Sequence, residues 1–180
     1  MTTANRIVGQ RVFFAREGDT FTVPSAGTVG RSSKPGDADA AWVEFGDVDE
    51  FGITPEASMK EVWSPGSAAI LELKDMIPNK PKTTIEFRTQ ELSPIAYEML
   101  LRTAKLDGSA TAHTPHAVIQ KKGVLRIVQK AHDQTDAINT LYFYGILEVP
   151  GKVDFGEDVV REPFRFTMLT SSLNAGTLDA

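Results

Sequence analysis

The sequence predicts a mostly β chain with one short helix, built as an antiparallel β-sandwich or half-barrel. Three observations carry this. Several segments alternate apolar and polar residues, as half-buried strands do. Only one stretch has helical spacing with both a start and a stop signal. Parallel strand pairs would each need a crossover of a dozen or more residues, and the sequence offers too little helix for that.

The elements follow in order of clarity. Thr83–Thr89 puts Ile85 and Phe87 on one face, with Glu86 and Arg88 on the other. Val160–Leu169 does the same with Phe164, Phe166 and Met168 against Arg165 and Thr167. Val124–Lys130 turns Leu125 and Ile127 to one side, while Val124 and Val128 make its second face partly apolar. Asn139–Val149 is rich in β-formers on both faces, which predicts a strand covered on both sides. Weaker strand signals lie at Gln10–Ala15, Thr20–Val23, Ala41–Phe45, Ala68–Leu73 and Val153–Phe155. The helix is Pro94–Lys105. Ser93 is its N-cap, Pro94 suits the first helical position, and Asp107-Gly108 supplies the stop. Its Ile95, Met99 and Leu100 side is expected to pack on a sheet.

A chain of 180 residues is long enough for one domain with a sizeable core. We expect that domain to span residues 1–170. Two polar stretches, 25–40 and 46–66, interrupt it as long loops, either of which could be an extended hairpin or an arm. The small, polar end at 171–180 is expected to be flexible. No apolar run approaches the roughly 18 residues of a membrane span, and Met1–Arg11 has no signal-peptide core. The expectation is a soluble protein made in a cytoplasm.

The chemistry of the sequence is sparse. There are no cysteines, which removes disulfides, thiolate metal sites and a cysteine nucleophile. The net charge of −5 disfavours a general nucleic-acid binder, which needs a basic footprint. His113 and His116 lack a third ligand at zinc-like spacing. The acid pairs Asp37/Asp39 and Asp47/Asp49 lack the remaining oxygens of a calcium loop. Gly27 and Gly30 do not make a phosphate-binding loop, and there is no nucleophile elbow. We therefore expect no enzyme, no cofactor and no metal. Trp42, Phe45, Phe51 and Trp63 bracket the second polar stretch, either as core at strand ends or as anchors for a partner.

The run from Ile53 to Leu101 carries a resemblance. Ser64-Pro65-Gly66 follows an acidic stretch, Leu71–Asp75 ends a strand in Lys-Asp, and Gln90–Tyr97 opens the helix. In this order the features resemble the tail tube (major tail) protein of long-tailed, siphophage-like particles, over about a quarter of the chain. The resemblance implies a structural virion protein of the tail. It would assemble with itself into hexameric rings that close into a β-barrel and stack into a tube for DNA delivery. Its partners would be the tape measure, tail terminator and baseplate or tail-tip proteins, with DNA passing unbound through the lumen. Phe51, Trp63, Pro65 and Gly66 become candidate contacts between subunits. Glu86, Arg88, Arg165 and Thr167 become candidates for the lumen face. Two other readings stand beside it. One is a sandwich module binding a carbohydrate or receptor on Trp42 and Trp63. The other is an enzyme with a site around His113, His116 and Asp133.

Overall fold

The computed structural model describes residues 7–65, 71–89, 93–100, 120–131, 137–150 and 163–178. The chain is mostly antiparallel β with one short helix, as the alternation predicts. In chain order the strands are β1 (Ile7–Arg16), β2 (Thr20–Phe21), β3 (Gly27–Thr28), β4 (Val43–Pro65) and β5 (Leu71–Thr89). Then come α1 (Pro94–Leu100), β6 (Lys121–Ala131), β7 (Ala137–Glu148), β8 (Pro163–Met168) and β9 (Ala175–Leu178).

Every ladder is antiparallel. The pairings run β1–β4–β5–β8–β7–β6, and β6 pairs again with β1. The circuit therefore returns to its start and folds the sheet over a core. β9 lies end to end with β8 along β7. Between them the chain loops out, and Asn174 covers the gap. Its Oδ1 accepts from the Tyr144 N–H at 2.9 Å, and its Nδ2 donates to the Leu169 carbonyl at 2.8 Å. The β7 backbone thus keeps partners where neither strand reaches it.

The inward face follows from the period-two pattern. Val12 and Phe14 of β1, Phe45 of β4, Ile85 and Phe87 of β5 and Leu125 and Ile127 of β6 are buried together. Leu147 of β7 and Phe164 and Phe166 of β8 join them. Phe45, Phe87 and Phe164 form a close triplet, with centroid separations of 5.1 to 5.6 Å. The opposite face of β1–β6–β7 is covered too. There Ala15, Val124 and Tyr144 meet Phe21 and Val29 from the 17–42 segment. This explains the two apolar faces of β7.

Helix α1 begins as its sequence specifies. The Ala96 N–H donates to Ser93 Oγ at 3.3 Å, and Ile95, Ala96, Met99 and Leu100 are buried in the core. Its described part ends at Leu100, so the predicted stop at Asp107-Gly108 lies outside the described residues. The helix also carries Glu98 into the interior at 0% exposure. Arg16 of β1 and Lys121 of β6 meet its carboxylate at 2.5 and 2.7 Å. Such a triad adds little net stability, but breaking it would strand a buried charge. It fixes where the helix sits on the sheet.

Two expectations are corrected. Of the readings of 46–66 the extended hairpin stands and the loop falls: residues up to Pro65 belong to the 23-residue strand β4, paired with β5. Its acids and prolines hid a regular alternation. The end at 171–180 is not wholly a free tail, because Ala175–Leu178 pairs with β7. The stretch 25–40 is irregular, as expected, but holds β3 and lies pinned against the sheet. Val153–Phe155 lies outside the described residues.

Gly123 and Gly145 face each other across β6 and β7. An added methyl at Gly145 would meet the Phe166 ring at 2.8 Å and collide with the Thr167 carbonyl. At Gly123 it would meet the Phe14 ring at 2.6 Å. Aromatic rings fill the space that these side chains would need. Gly145→Ala should therefore cost about 2 kcal/mol by overpacking, measured as a lower midpoint in urea. An unchanged midpoint would show that the rings move aside.

Candidate assembly surface

Strand β4 pairs with β1 only as far as Asp47, and β5 pairs with β8 only from Thr84. Beyond those points, among the described residues, β4 and β5 pair only with each other, out to Pro65 and Leu71. The 13 residues Leu71–Thr83 span about 40 Å at roughly 3.4 Å per residue. The result is a two-stranded arm longer than the radius of gyration of a compact chain this size, about 16 Å. Three register shifts bend and twist it, with Glu50 and Lys80 at positive φ in two of them.

The arm has two unlike faces. Along β4, Ile53, Pro55, Ala57, Met59, Trp63 and Pro65 alternate onto one side, interrupted by Glu61 alone. Cross-strand partners share a face, which adds Leu71, Leu73, Met76 and Pro78 of β5. The other side carries Thr54, Glu56, Ser58, Lys60 and Ser64, with Val62 and Ile77 its larger apolar members. Ile53 pairs with Ile85, which is buried in the core. The apolar side of the arm is therefore the inward face of the sheet, continued past the point where the core ends.

Nothing among the described residues covers it. Ile53 is 44% exposed, Met59 56%, Trp63 51% and Leu71 64%. Leu73 and Met76 are similarly open. Six half-exposed side chains of roughly 200 Å² each present on the order of 600 Å². That is the upper end of what a monomer's largest apolar patch reaches. The one acid on this side is engaged: Trp63 Nε1 donates to Glu61 Oε2 at 3.0 Å.

The candidate contact residues separate on this surface. Trp63 and Pro65 lie exposed on the arm. Phe51 is half-buried and packs against the core at the base of the arm. Gly66 lies outside the described residues. The candidate lumen residues do come together. Glu86 pairs with Arg165 across β5 and β8, and their side chains form a 2.8 Å ion pair. Thr84 pairs with Thr167, and Arg88 meets Glu50 at 2.9 Å. They share the outward face of two neighbouring strands, with each charge answered by an opposite one. Sequence reasoning named only Trp63 and Pro65 on the arm and missed Met59, Leu71, Leu73 and Met76 as a surface. The period-two run in β4 was the available signal.

Elsewhere several polar groups of the described residues are committed to structure. Arg126 lies between Phe13 and Trp42, 4.2 and 5.0 Å from the ring centroids, and donates to the Asp37 carbonyl at 2.7 Å. Tyr142 donates to Asp37 and is covered by the Lys34 ammonium at 3.8 Å. Burial raises the Tyr142 hydroxyl well above its ordinary pKa, and the hydrogen bond to Asp37 adds to this. The Trp42 indole donates to the Gly36 carbonyl at 2.9 Å. Its ring is taken up in this stack and is no open platform for a sugar. A cleft of about 520 Å³ lies beside Arg16, Asp19, Thr22 and Asp39, with Arg16 held by Glu98 and Asp19 and Asp39 by backbone. No group of three potential metal ligands occurs among the described residues. No described helix is long and apolar enough to cross a membrane. His113, His116 and Asp133 lie outside the described residues. No family model matches this sequence, and no curated protein matches it.

Asp39 fastens the 17–42 segment. It accepts from the backbone N–H groups of Ala41, Thr22 and Val23, each at 2.8 Å. These hold its carboxyl down from 3.8 to about 2. The folded-state pKa is depressed, so the clamp contributes fully above 3.8 and is lost as pH falls toward 2. Trp42 fluorescence should report loosening across that window. In Asp39→Asn the signal should be shifted already at neutral pH and flat between pH 4 and 2. A wild-type signal that is flat there would refute the clamp.

Proposed function

We propose that this chain is a structural subunit that assembles with its own copies, of the tail tube class, and forms a conduit for DNA delivery. The observation that carries it is the arm: an amphipathic ribbon whose apolar side continues the core face of the sheet and lies uncovered. An isolated two-stranded ribbon is marginal in water. One that also exposes an apolar strip gains by being covered, and repetition of one contact along an axis builds rings or tubes.

The outward face of β5 and β8 supports the conduit part of the reading. Glu86 with Arg165, and Glu50 with Arg88, present paired charges. A wall of this kind offers DNA no run of free cations. Strong phosphate binding requires many such contacts, so a strand would pass without sticking. Ser64-Pro65 and Leu71–Asp75, from the motifs that carry the resemblance to tail tube proteins, lie at the far end of the described arm on its two strands. Hexameric rings, a virion location, and contacts to tape measure, terminator and tail-tip proteins belong to the same proposal. No observation favours the carbohydrate-binding reading.

Electron microscopy and sedimentation of the purified protein test this, alone and with a tail initiation complex. Rings or tubes are expected. The double variant Trp63→Glu/Leu73→Glu should abolish them. Its unfolding midpoint should stay within about 0.5 kcal/mol of wild type, because both side chains are solvent-facing in the free subunit. A wild-type chain that stays monomeric under every condition would overturn the proposal.

A further inference from the structure

Resting on that reading, we propose that Glu44, Glu50 and Glu86 are masking residues: they neutralise the arginines of the conduit wall and so keep DNA from binding to it.

The body has two outward sheet faces, and the chain treats them differently. The face of β1–β6–β7 is covered by the 17–42 segment, with Phe21 and Val29 packed on it. The face of β4–β5–β8 stays open. Glu50, Glu86, Arg88 and Arg165 have side chains 38 to 57% exposed there.

On the open side each successive strand boundary carries one arginine–glutamate pair. Arg11 of β1 meets Glu44 of β4 at 2.5 Å. Glu50 of β4 meets Arg88 of β5 at 2.9 Å, and Glu86 of β5 meets Arg165 of β8 at 2.8 Å. Every one of these pairs joins two neighbouring strands. The register carries the alternation further: Glu148 of β7 lies opposite Arg165, and on the arm Glu56 lies opposite Lys82.

Stability does not account for such a series, because exposed pairs contribute little to it. The effect on a polyanion is larger. A row of unpaired arginines would collect phosphates and release their counterions, which is what holds DNA to a protein. A wall of glutamates alone would repel DNA and oppose its entry. Closely paired charges leave little field beyond a Debye length, about 8 Å at physiological salt, so this wall does neither. The glutamates are the part that decides, since removing them leaves the arginines bare.

The test uses assembled particles of the full-length chain, sedimented with labelled duplex DNA. Glu50→Gln/Glu86→Gln removes two masking charges and keeps the side-chain size. Its particles should hold roughly tenfold more DNA than wild type at about 50 mM salt and release it by about 200 mM. Adding Arg88→Gln/Arg165→Gln to that variant should return retention to the wild-type level. Glu17→Gln/Ser172→Lys makes the same change in net charge away from this face and should hold no more DNA than wild type. Where the masking variant does not assemble, Glu50→Gln alone, which frees Arg88, gives the same comparison. Masking fails, with assembly left standing, on any of three results: variant particles that hold no extra DNA, a Glu17→Gln/Ser172→Lys control that holds as much, or wild-type particles that already grip DNA at low salt. If no particles form under any condition, the conduit reading fails and the masking role with it.

Discussion

An apolar sheet face has to be covered along its whole length, and among the described residues of this chain the face is longer than the core that covers it. On β5, Ile85 and Phe87 lie in a packed interior of phenylalanines, while Leu71, Leu73 and Met76 look the same way into water. No change of residue type marks the border. What changes is the company: β1 leaves β4 at Asp47 and β8 leaves β5 at Thr84. Under the proposed function, that extension would be the contact between copies.

The body is built to hold the arm's base still. Phe51 packs into the core where β4 departs, and Phe45, Phe87 and Phe164 lock the strands beside it. Glu98, gripped by Arg16 and Lys121, fixes the helix over the same interior. On the other face of β1–β6–β7, Arg126 slots between Phe13 and Trp42 and ties down the 17–42 segment. Such networks contribute less to net stability than to a single arrangement, because a displaced member leaves a buried charge without its partner. A rigid base gives a protruding ribbon a defined direction, which a repeating contact requires.

Much of the body was legible in the sequence, because periodicity reports burial directly. Ile85 and Phe87, Phe164 and Phe166, and Leu125 and Ile127 all lie where alternation puts them. Ser93 caps the helix as its residue type predicts. The arm was harder to read for a physical reason. Its strands carry Pro55, Pro65, Pro78 and Pro81 with Asp and Glu between, and in a central strand each of these is a breaker. In a solvated ribbon they are tolerated, so turn-like composition concealed a strand of 23 residues. The segment Ala175–Leu178 escaped notice because four residues that include a glycine are too few to show an alternation. The Arg126 stack joins residues 13, 34, 37, 42, 126 and 142, and no local pattern encodes contacts that distant.

The same ribbon sets how assembly would begin under the proposed function. A two-stranded arm with guarded edges holds itself weakly, so its first contact has to offset the ordering of both strands as well as the loss of free motion. A contact between two free subunits meets that cost twice. A subunit arriving at an arm that neighbours already hold meets it once. Growth is then easier than initiation, which makes a pre-formed starting complex the natural trigger. Glu61 sharpens the difference, since its carboxylate must give up water before the faces close. Under the proposed function, restraint in the free subunit and commitment in the assembly would thus come from one feature, an apolar face that outruns the described core and carries the acid Glu61.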